Sequence, residues 1–327
     1  MGDVERALGV TRVARVTGLD RAGVEVACAV RPSGHVLQIS NGKGLTWEQA
    51  RRGAVSEAAE LWAAERPPSL AIRAAPASAW TLGAAGRIAW CEAEDLASGA
   101  SVYLPAHAVY CPASGLAPLG PASVRWTSNG MGAHPSARAA VEHGLLEAIE
   151  RDQVARALPA GWSPRAIRDR KVAPPAALGA FCARLRSVRL QPHFFDLGAG
   201  LGVPVAGAIL VDEEEGPLPV TAGYACAWTA AGALLGALLE AAQSRLTDVH
   251  GAREDVAPPD RAAAAALARA CAAARPQRRS MPRVMPASAV RLLRRAGHDR
   301  VAVVTLSRAP LRVVKIVSPT LRLTELV

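Results

Sequence analysis

The chain has 327 residues, 50% of them apolar, and a formal net charge of +10 at pH 7. This length and composition are enough to bury a large core, and they predict one globular unit of enzyme size over residues 1–327. Acidic residues within the first six positions argue against a signal peptide, and the prolines and glycines of the uncharged run at 216–239 argue against a membrane span, so a cytoplasmic location is expected.

Cysteines and arginines narrow the class further. The six cysteines show no Cys-x-x-Cys pair and no short spacing to histidine, which argues against a zinc site and a disulfide framework. Arginines are dense only at 275–300. We interpret that segment as a solvated or docking surface, with nucleic-acid binding as a less favoured hypothesis.

The N-terminal half begins with two predicted strands, 24–30 and 36–39, which form a hairpin around a turn that contains proline and glycine. A helix is predicted from Thr46 to about residue 65, because apolar residues recur at helical spacing, Thr46 is a suitable N-cap and two prolines follow. Further strands are predicted at 87–90 and 101–104.

The C-terminal half mixes helices and strands. A second long helix is predicted over about 136–158, and a connector rich in proline and arginine follows at 159–175. The remaining predicted elements are a short helix, strands near 193–196 and 203–211, a helix at about 230–248, a loose helix between linkers within about 256–289, a last helix, and strands at 301–306 and 311–317. This mixture predicts a layered α/β or α+β domain.

Two stretches of the sequence nearly repeat each other. Ser-Asn-Gly-Lys-Gly at 40–44 and Ser-Asn-Gly-Met-Gly at 128–132 each open an alanine-rich helical run with a Glu-x-x-Glu pair. The two pairs are Glu57/Glu60 and Glu147/Glu150. A glycine-rich loop can bring backbone N–H groups to an anion, and two carboxylates one helical turn apart can hold a hard cation. The repeat therefore predicts a metal-nucleotide site built from two related halves, about 36–66 and 124–158.

Several other patterns favour simpler interpretations. A single Glu-x-x-Glu pair is typical of a solvated helix face, and only its duplication favours a metal role. The glycines at 198–202 are followed by a β-rich run where a dinucleotide-binding loop would begin a helix. Lys43, one of three lysines, is followed by glycine, so any ATP site is not of the P-loop type; the lysine itself is interpreted either as a phosphate contact or as an accident of composition. His143 is interpreted as a packing or capping residue.

Segments spread over nearly the whole chain resemble the YcaO ATP-binding proteins, most closely the branch that acts with a TfuA partner. They lie at 9–21, 40–46, 57–60, 128–130, 143–152, 240–247, 251–255 and 313–319. The resemblance implies an α+β YcaO fold with mixed or antiparallel sheets, in which carboxylate-bearing helices form a non-P-loop site for ATP and Mg²⁺. It also implies ATP-dependent activation of a backbone amide in a ribosomally synthesised peptide. The expected product is a thioamide with a TfuA-like partner, or an azoline, and a homodimer is expected.

The same resemblance assigns site residues by position. The metal ligands it implies are Glu57, Glu60, Glu147, Glu150 and Glu240. Lys43, Arg151 and Gln243 correspond to phosphate or nucleotide contacts, and Ser40 and Asn129 shape the two loops. Arg245 and Arg253 are further nucleotide candidates, with surface ion pairing as the alternative.

The chain also departs from the family's pattern. Pro135 and Ala139 stand where the family usually has Asn and Glu, and Gly53 and Gly236 replace polar side chains on the first and third helices. These departures leave a second hypothesis open, in which a YcaO-like scaffold binds a precursor peptide or a partner enzyme without turnover.

Overall fold

Helices and antiparallel sheets are mixed along the chain. The structure, a computed structural model, describes residues 2–122, 124–214, 216, 218–250, 260–277, 281–282 and 289–322. Its helices are α1 (Asp3–Leu8), α2 (Trp47–Ala64), α3 (Ala137–Ala157), α4 (Pro164–Arg170), α5 (Gly179–Ser187), α6 (Ala230–His250), α7 (Arg261–Ala273) and α8 (Ala289–Arg295). Its strands are β1 (Arg12–Arg15), β2 (Glu25–Val30), β3 (Ile39–Gly44), β4 (Ile72–Arg73), β5 (Ile88–Asp95), β6 (Ser101–Pro105), β7 (Met131–His134), β8 (Lys171–Val172), β9 (Leu190–Asp196), β10 (Val205–Asp212), β11 (Val220–Cys226), β12 (Ala302–Ser307) and β13 (Arg312–Val317).

The strands form three antiparallel sheets. One has the order β1-β2-β3, a second the order β11-β10-β9-β8, and a third the order β4-β5-β12-β13-β7, with β6 paired to β5. Neighbouring Phe194 and Phe195 on β9 point to opposite faces of the second sheet, and each belongs to a separate core cluster. This arrangement of helices on antiparallel sheets confirms the α+β prediction. Within the described residues, no helix has the length and apolar character that a membrane crossing requires.

The predicted long helices α2, α3 and α6 are confirmed. Thr46 caps α2, since its side-chain oxygen accepts a hydrogen bond from Gln49 N at 3.3 Å. The buried face of α2 is rich in alanine, with Ala50, Ala54 and Ala58 all fully buried. Small side chains on this face let the helix lie close to the strand beside it.

The prediction of two glycine-rich loops, at 40–44 and 128–132, is wrong in part. Residues 40–44 belong to strand β3, and strand β7 begins at Met131. A Cβ atom on Gly42 would lie 2.0 Å from Ala50 O, and one on Gly132 would lie 2.2 Å from Ala140 O. Both glycines therefore sit in strands that are pressed against the following helix. The glycines are required for close packing, which a sequence pattern does not distinguish from a flexible loop.

A third unit of the same kind follows further along the chain. On β11, a Cβ atom on Gly223 would lie 2.2 Å from Ala241 N and 2.4 Å from Ala237 O of α6. The strand-helix pairs β3-α2, β7-α3 and β11-α6 thus share one packing device. The sequence predicted two related halves, whereas the structure contains three such units.

These three units close into a ring. Each of β3, β7 and β11 is the terminal strand of a different sheet. Each helix packs against its own strand and also against the strand of the next unit: α2 against β3 and β7, α3 against β7 and β11, and α6 against β11 and β3. We call this arrangement the β–α ring. It brings one edge of each sheet to a common centre.

Two C-terminal predictions need correction. The 159–175 connector contains α4 and β8, because Ser163 caps α4 and Pro164 occupies its first turn, where a missing N–H costs nothing. The low-complexity stretch contains the well-formed helix α7, whose first turn donates backbone hydrogen bonds to the side chain of Asp260. The remainder of the predicted linkers, at 256–259, 278–280 and 283–288, lies outside the described residues.

Candidate metal-nucleotide site

Five glutamates from α2, α3 and α6 meet at the centre of the β–α ring. Each accepts a hydrogen bond from a backbone N–H on a ring strand or immediately before it. The pairs are Glu57 with Asn41, Glu60 with Ala133, Glu147 with Gly130, Glu150 with Cys226 and Glu240 with Tyr224. On α2 and α3, the first glutamate binds its own unit's strand and the second binds the next unit's strand. The carboxylates therefore tie the ring together.

The negative charges of these glutamates act on one another. Burial raises the pKa of Glu60 well above its ordinary value, and the charges of Glu147 and Glu57 raise it further. Burial and the neighbouring charge of Glu240 also raise the pKa values of Glu147 and Glu150. The centre of the ring is thus an acidic site in which the carboxyl groups of Glu60, Glu147 and Glu150 resist ionisation.

The carboxylates remain accessible from one side. The exposed fractions of the side chains are 12% for Glu150, 22% for Glu147 and 26% for Glu240. Partial exposure of enclosed side chains is typical of the lining of a cleft. A ligand can therefore reach these oxygens without unfolding the ring.

Two cations accompany the acidic cluster. Lys43 Nζ lies 2.6 Å from Glu240 Oε2. Burial would raise the pKa of Glu240, but Lys43 and Arg151 together lower it below its ordinary value. Arg151 lies 3.7 Å from Glu150 and 3.8 Å from Glu147, and its buried Nε has no hydrogen-bond partner within the described residues. Both cations are placed to accept an anionic ligand.

The residues at the ring centre fit a divalent cation together with phosphate. In the described part of the chain, no three carboxylate, imidazole or thiol groups lie close enough to share one ion. Hard cations such as Mg²⁺ prefer oxygen ligands and are usually bound by one or two carboxylates plus substrate phosphates. A bound cation would offset the repulsion that raises the carboxylate pKa values, and the Arg151 Nε would gain an acceptor.

The other predicted contacts have different surroundings. Ser40, at the start of β3, and Asn129, just before β7, are each 3% exposed, so they lie inside the ring where they can shape the two strand ends. Gln243 lies on α6 one turn after Glu240 and is partly exposed. Their roles towards a nucleotide stay predictions.

Arg245 is held in a separate buried network. Its guanidinium lies 2.9 Å from Asp20 Oδ1 and 3.0 Å from Asp212 Oδ2, and it also donates to Leu218 O at 3.0 Å. With its side chain 5% exposed, it joins α6 to β10 and to the connection between β1 and β2 instead of pairing with the glutamates. The alternative hypothesis for Arg245 is an ion pair at the surface. In the structure Arg245 does form ion pairs, but they are buried. Arg253 lies outside the described residues.

We expect Arg245→Met to destabilise the fold by about 3 kcal/mol, because buried Asp20 loses its ion pair with Arg245 and buried Asp212 keeps only its ion pair with Arg21. Affinity for Mg²⁺ with a nucleotide should stay within about twofold of wild type, since the ion pairs and hydrogen bonds of Arg245 within the described residues involve none of the five glutamates. Urea unfolding and calorimetric titration measure the two quantities. A tenfold loss of affinity at unchanged stability would instead place Arg245 in the nucleotide site.

Sequence reasoning missed Lys315 on β13. Its ammonium donates to Thr127 O and lies 5.1 Å from the centre of the Trp126 aromatic ring. Its charge lowers the pKa values of Glu60 and Glu147. The available signal was its rarity, since it is one of three lysines and lies within a matching C-terminal motif.

Two of the departures have a packing explanation. A Cβ atom on Gly236 would lie 2.7 Å from the Cβ of Ala225, and one on Gly53 would lie 3.3 Å from Gly42 Cα. A polar side chain at either position would press against the strand of its own unit. Glu142, which follows Ala139 on α3, accepts a hydrogen bond from Trp228 Nε1.

A family model matches most of this chain. A model described as YcaO cyclodehydratase, ATP- and Mg²⁺-binding, matches residues 71–322. That range includes Glu147, Glu150 and Glu240, while Glu57 and Glu60 precede it and are linked to the others by the ring.

Curated relatives and solved structures are also similar to this chain. An uncharacterized protein of Methanothermobacter thermautotrophicus is 32% identical over 277 residues, covering 78% of this chain and 70% of that protein. An uncharacterized protein in the tfuA 3′ region of Rhizobium leguminosarum bv. trifolii is 31% identical over 280 residues, covering 77% and 66%. The structure of YcaO from Methanopyrus kandleri bound with AMPPCP and Mg²⁺ superposes with a TM-score of 0.76 at 24% identity, over 98% of this chain and 88% of that one. On this evidence the chain belongs to the YcaO family, whose fold it has and whose cofactors are ATP and Mg²⁺.

Proposed function

We propose that this chain is an enzyme that uses ATP and Mg²⁺ to phosphorylate a backbone amide oxygen of a ribosomally synthesised peptide. The observation that carries the proposal is the meeting of five glutamates, Lys43 and Arg151 at the centre of the β–α ring. One or two carboxylates of this cluster would hold Mg²⁺ together with the nucleotide phosphates, and Lys43 and Arg151 would bind those phosphates as well.

The chain's residues position and neutralise the reacting groups. When bound, Mg²⁺ neutralises charge that develops on the transferred phosphoryl group. Lys43 is paired with Glu240 and can exchange that carboxylate for a phosphate oxygen, because its stem is flexible. Arg151 lies on the turn after Glu147, and its Nε, which has no hydrogen-bond partner within the described residues, can donate to a phosphate. The surrounding β–α ring partly shields these groups from bulk water, which strengthens their electrostatic interactions with a phosphate.

The product we favour is a thioamide, formed with a TfuA-like partner. A nucleophile adds to the amide carbonyl, the carbonyl oxygen takes the γ-phosphoryl group of ATP, and phosphate then leaves. Sulfide as nucleophile gives a thioamide, and a Cys, Ser or Thr side chain of the peptide gives an azoline. The position of the Rhizobium relative in a tfuA 3′ region supports the first outcome. We further propose that the protein acts in the cytoplasm as a homodimer on its precursor peptide.

A second candidate is a scaffold that binds the precursor peptide or a partner enzyme without turnover. Pro135 and Ala139, between β7 and the glutamate pair of α3, cannot supply the oxygen ligands that the family usually has there. This candidate keeps the fold and peptide binding, but it requires no phosphate release.

Calorimetric titration with Mg²⁺ and AMPPCP, followed by a phosphate-release assay with ATP, tests both candidates. We expect saturable AMPPCP binding that disappears when EDTA replaces Mg²⁺, and phosphate release that depends on a peptide encoded beside this gene. Absence of AMPPCP binding, alone and with neighbouring gene products, would refute the enzyme. Binding without phosphate release in the presence of peptide and partner would favour the scaffold.

A further inference from the structure

A row of three aromatic side chains lies on one face of the second sheet, beside the acidic cluster. The centre of the Trp162 aromatic ring is 4.7 Å from the centre of the Phe195 ring and 6.2 Å from the centre of the Tyr224 ring. The planes of Trp162 and Tyr224 differ by only 9°, so these two rings are nearly parallel. Trp162 follows α3, whereas Phe195 and Tyr224 belong to β9 and β11.

Gly207 makes this row possible. On β10 it lies between Tyr224 of β11 and Phe195 of β9, directly opposite both. A Cβ atom on Gly207 would lie 3.0 Å from Trp162 Cζ2 and 3.1 Å from Cη2. The absence of a side chain therefore lets the indole lie over the strand and fixes its height above the sheet.

The position of the indole determines how the Tyr224 hydroxyl can bond. Trp162 Nε1 donates a hydrogen bond to Tyr224 Oη at 2.9 Å. An indole N–H is only a donor, so the phenol oxygen is the acceptor in this bond and its own proton must point elsewhere. Among the hydrogen bonds of the described residues, none is donated by the Tyr224 hydroxyl.

The neighbourhood of Tyr224 is the acidic cluster. Its backbone N–H donates to Glu240, and the backbone N–H of Cys226, two residues further along β11, donates to Glu150 at 3.1 Å. Its phenol lies within electrostatic reach of Arg151, Glu150 and Glu240. A phosphate that binds beside Arg151 brings an anionic oxygen to this place. A neutral hydrogen-bond donor such as the Tyr224 hydroxyl can pair with that oxygen.

We propose that Tyr224 donates a hydrogen bond to a phosphate oxygen of the bound nucleotide, and that Trp162 is a positioning residue that directs this donor. The inference rests on the proposed function, because it places Mg²⁺ and a nucleotide in the ring. It adds a neutral donor to the charged groups that are proposed to hold the phosphates. It also explains why the Trp162 indole is placed over Gly207.

The test is a double-mutant cycle on AMPPCP binding in the presence of Mg²⁺. Tyr224→Phe keeps the aromatic ring but removes the hydroxyl, and it should weaken AMPPCP binding about tenfold, because hydrogen bonds to charged groups are the stronger ones. Trp162→Phe should weaken binding by less, since the phenol remains but is free to turn. The double variant should bind like Tyr224→Phe alone, because Trp162 acts through Tyr224.

Trp90→Phe is the matched control. Trp90 Nε1 donates to Arg73 O at 3.2 Å in the third sheet, so this variant also loses an indole hydrogen bond, but at a distance from the cluster. It should change thermal stability without changing AMPPCP affinity. If Tyr224→Phe binds AMPPCP as wild type does, or if the losses from the two single variants add, the inference is wrong. Failure of the wild-type protein to bind AMPPCP would overturn the proposed function as well, so the two failures are distinguishable.

Discussion

Replacing Glu60 with glutamine is expected to abolish Mg²⁺-dependent ATP binding and to stabilise the ligand-free protein. Glutamine keeps an oxygen that can accept the Ala133 N–H, but it removes the charge that a cation requires. The expected loss of affinity for AMPPCP with Mg²⁺ is more than about 100-fold. Calorimetry measures the affinity, and thermal unfolding without ligand measures the stability.

The gain in stability depends on pH in a defined direction. Burial and the charges of Glu147 and Glu57 raise the pKa of Glu60 in the folded state above its unfolded value. The folded state therefore binds the proton more tightly, so wild-type stability falls as pH rises from the ordinary glutamate pKa to the raised one. Glutamine resembles the protonated form. The Glu60→Gln variant should thus exceed wild type at neutral pH, and the difference should vanish near about pH 4.

Glu48→Gln provides the control for this experiment. Glu48 lies in the exposed first turn of the same helix, α2, so the chemical change is identical but distant from the ring centre. Its AMPPCP affinity should match that of wild type. Wild-type affinity in Glu60→Gln would mean that Glu60 does not hold the metal.

Gly42→Ala is expected to lower the free energy of unfolding by about 3 kcal/mol or more, as overpacking does where the surroundings cannot yield. The added Cβ would lie 2.0 Å from Ala50 O and 2.2 Å from Ala54 N, and both are backbone atoms of α2. No side chain can turn aside to relieve these contacts. Either β3 or α2 must move, and either movement disturbs the hydrogen bond between Glu57 of α2 and Asn41 N of β3. Urea unfolding measures the loss.

Gly179→Ala is the matched control for the glycine substitution. Gly179 is the first residue of α5, and no atom lies within 4 Å of where its Cβ would be. Its stability should change by less than about 0.5 kcal/mol. Equal stability of Gly42→Ala and wild type would contradict the close packing of β3 against α2.

The sequence predicts the three ring helices well, because apolar spacing is a local signal. Thr46 and the two prolines mark the ends of α2, and the alanine-rich faces of α2 and α3 repeat every turn. Strand β3 was not predicted over 40–44, because glycine, asparagine and serine are typical of turns. Only the contact between Gly42 and α2 explains why these residues form a strand.

The third unit of the ring is hidden in the sequence for a related reason. Gly223 on β11 follows no Ser-Asn-Gly triplet, and α6 carries the single Glu240 instead of a pair. Its relation to the other two units is therefore visible only in the packing of strand against helix. The connection of three sheets through long-range contacts has no counterpart in local sequence patterns.

The sequence predicts which residues belong to the candidate site better than it predicts how they are arranged. The resemblance supplied the five glutamates, and the structure brings them together, but it also places Arg245 with Asp20 and Asp212. Lys315 was missed because its neighbourhood depends on β13 pairing with β7, a contact between distant parts of the chain. Long-range pairing of this kind determines which charges meet.

The glutamates of the ring also have a consequence for self-association. The edge of a terminal strand presents unpaired N–H groups, which form a template for pairing with another chain and hence for aggregation. In this protein, carboxylates occupy such groups on β3, β7 and β11, including Asn41 N at 2.8 Å and Cys226 N at 3.1 Å. An alanine at any of these glutamates would uncover a sheet edge as well as remove a charge. Light scattering should therefore detect more self-association in the alanine variants than in the glutamine variants.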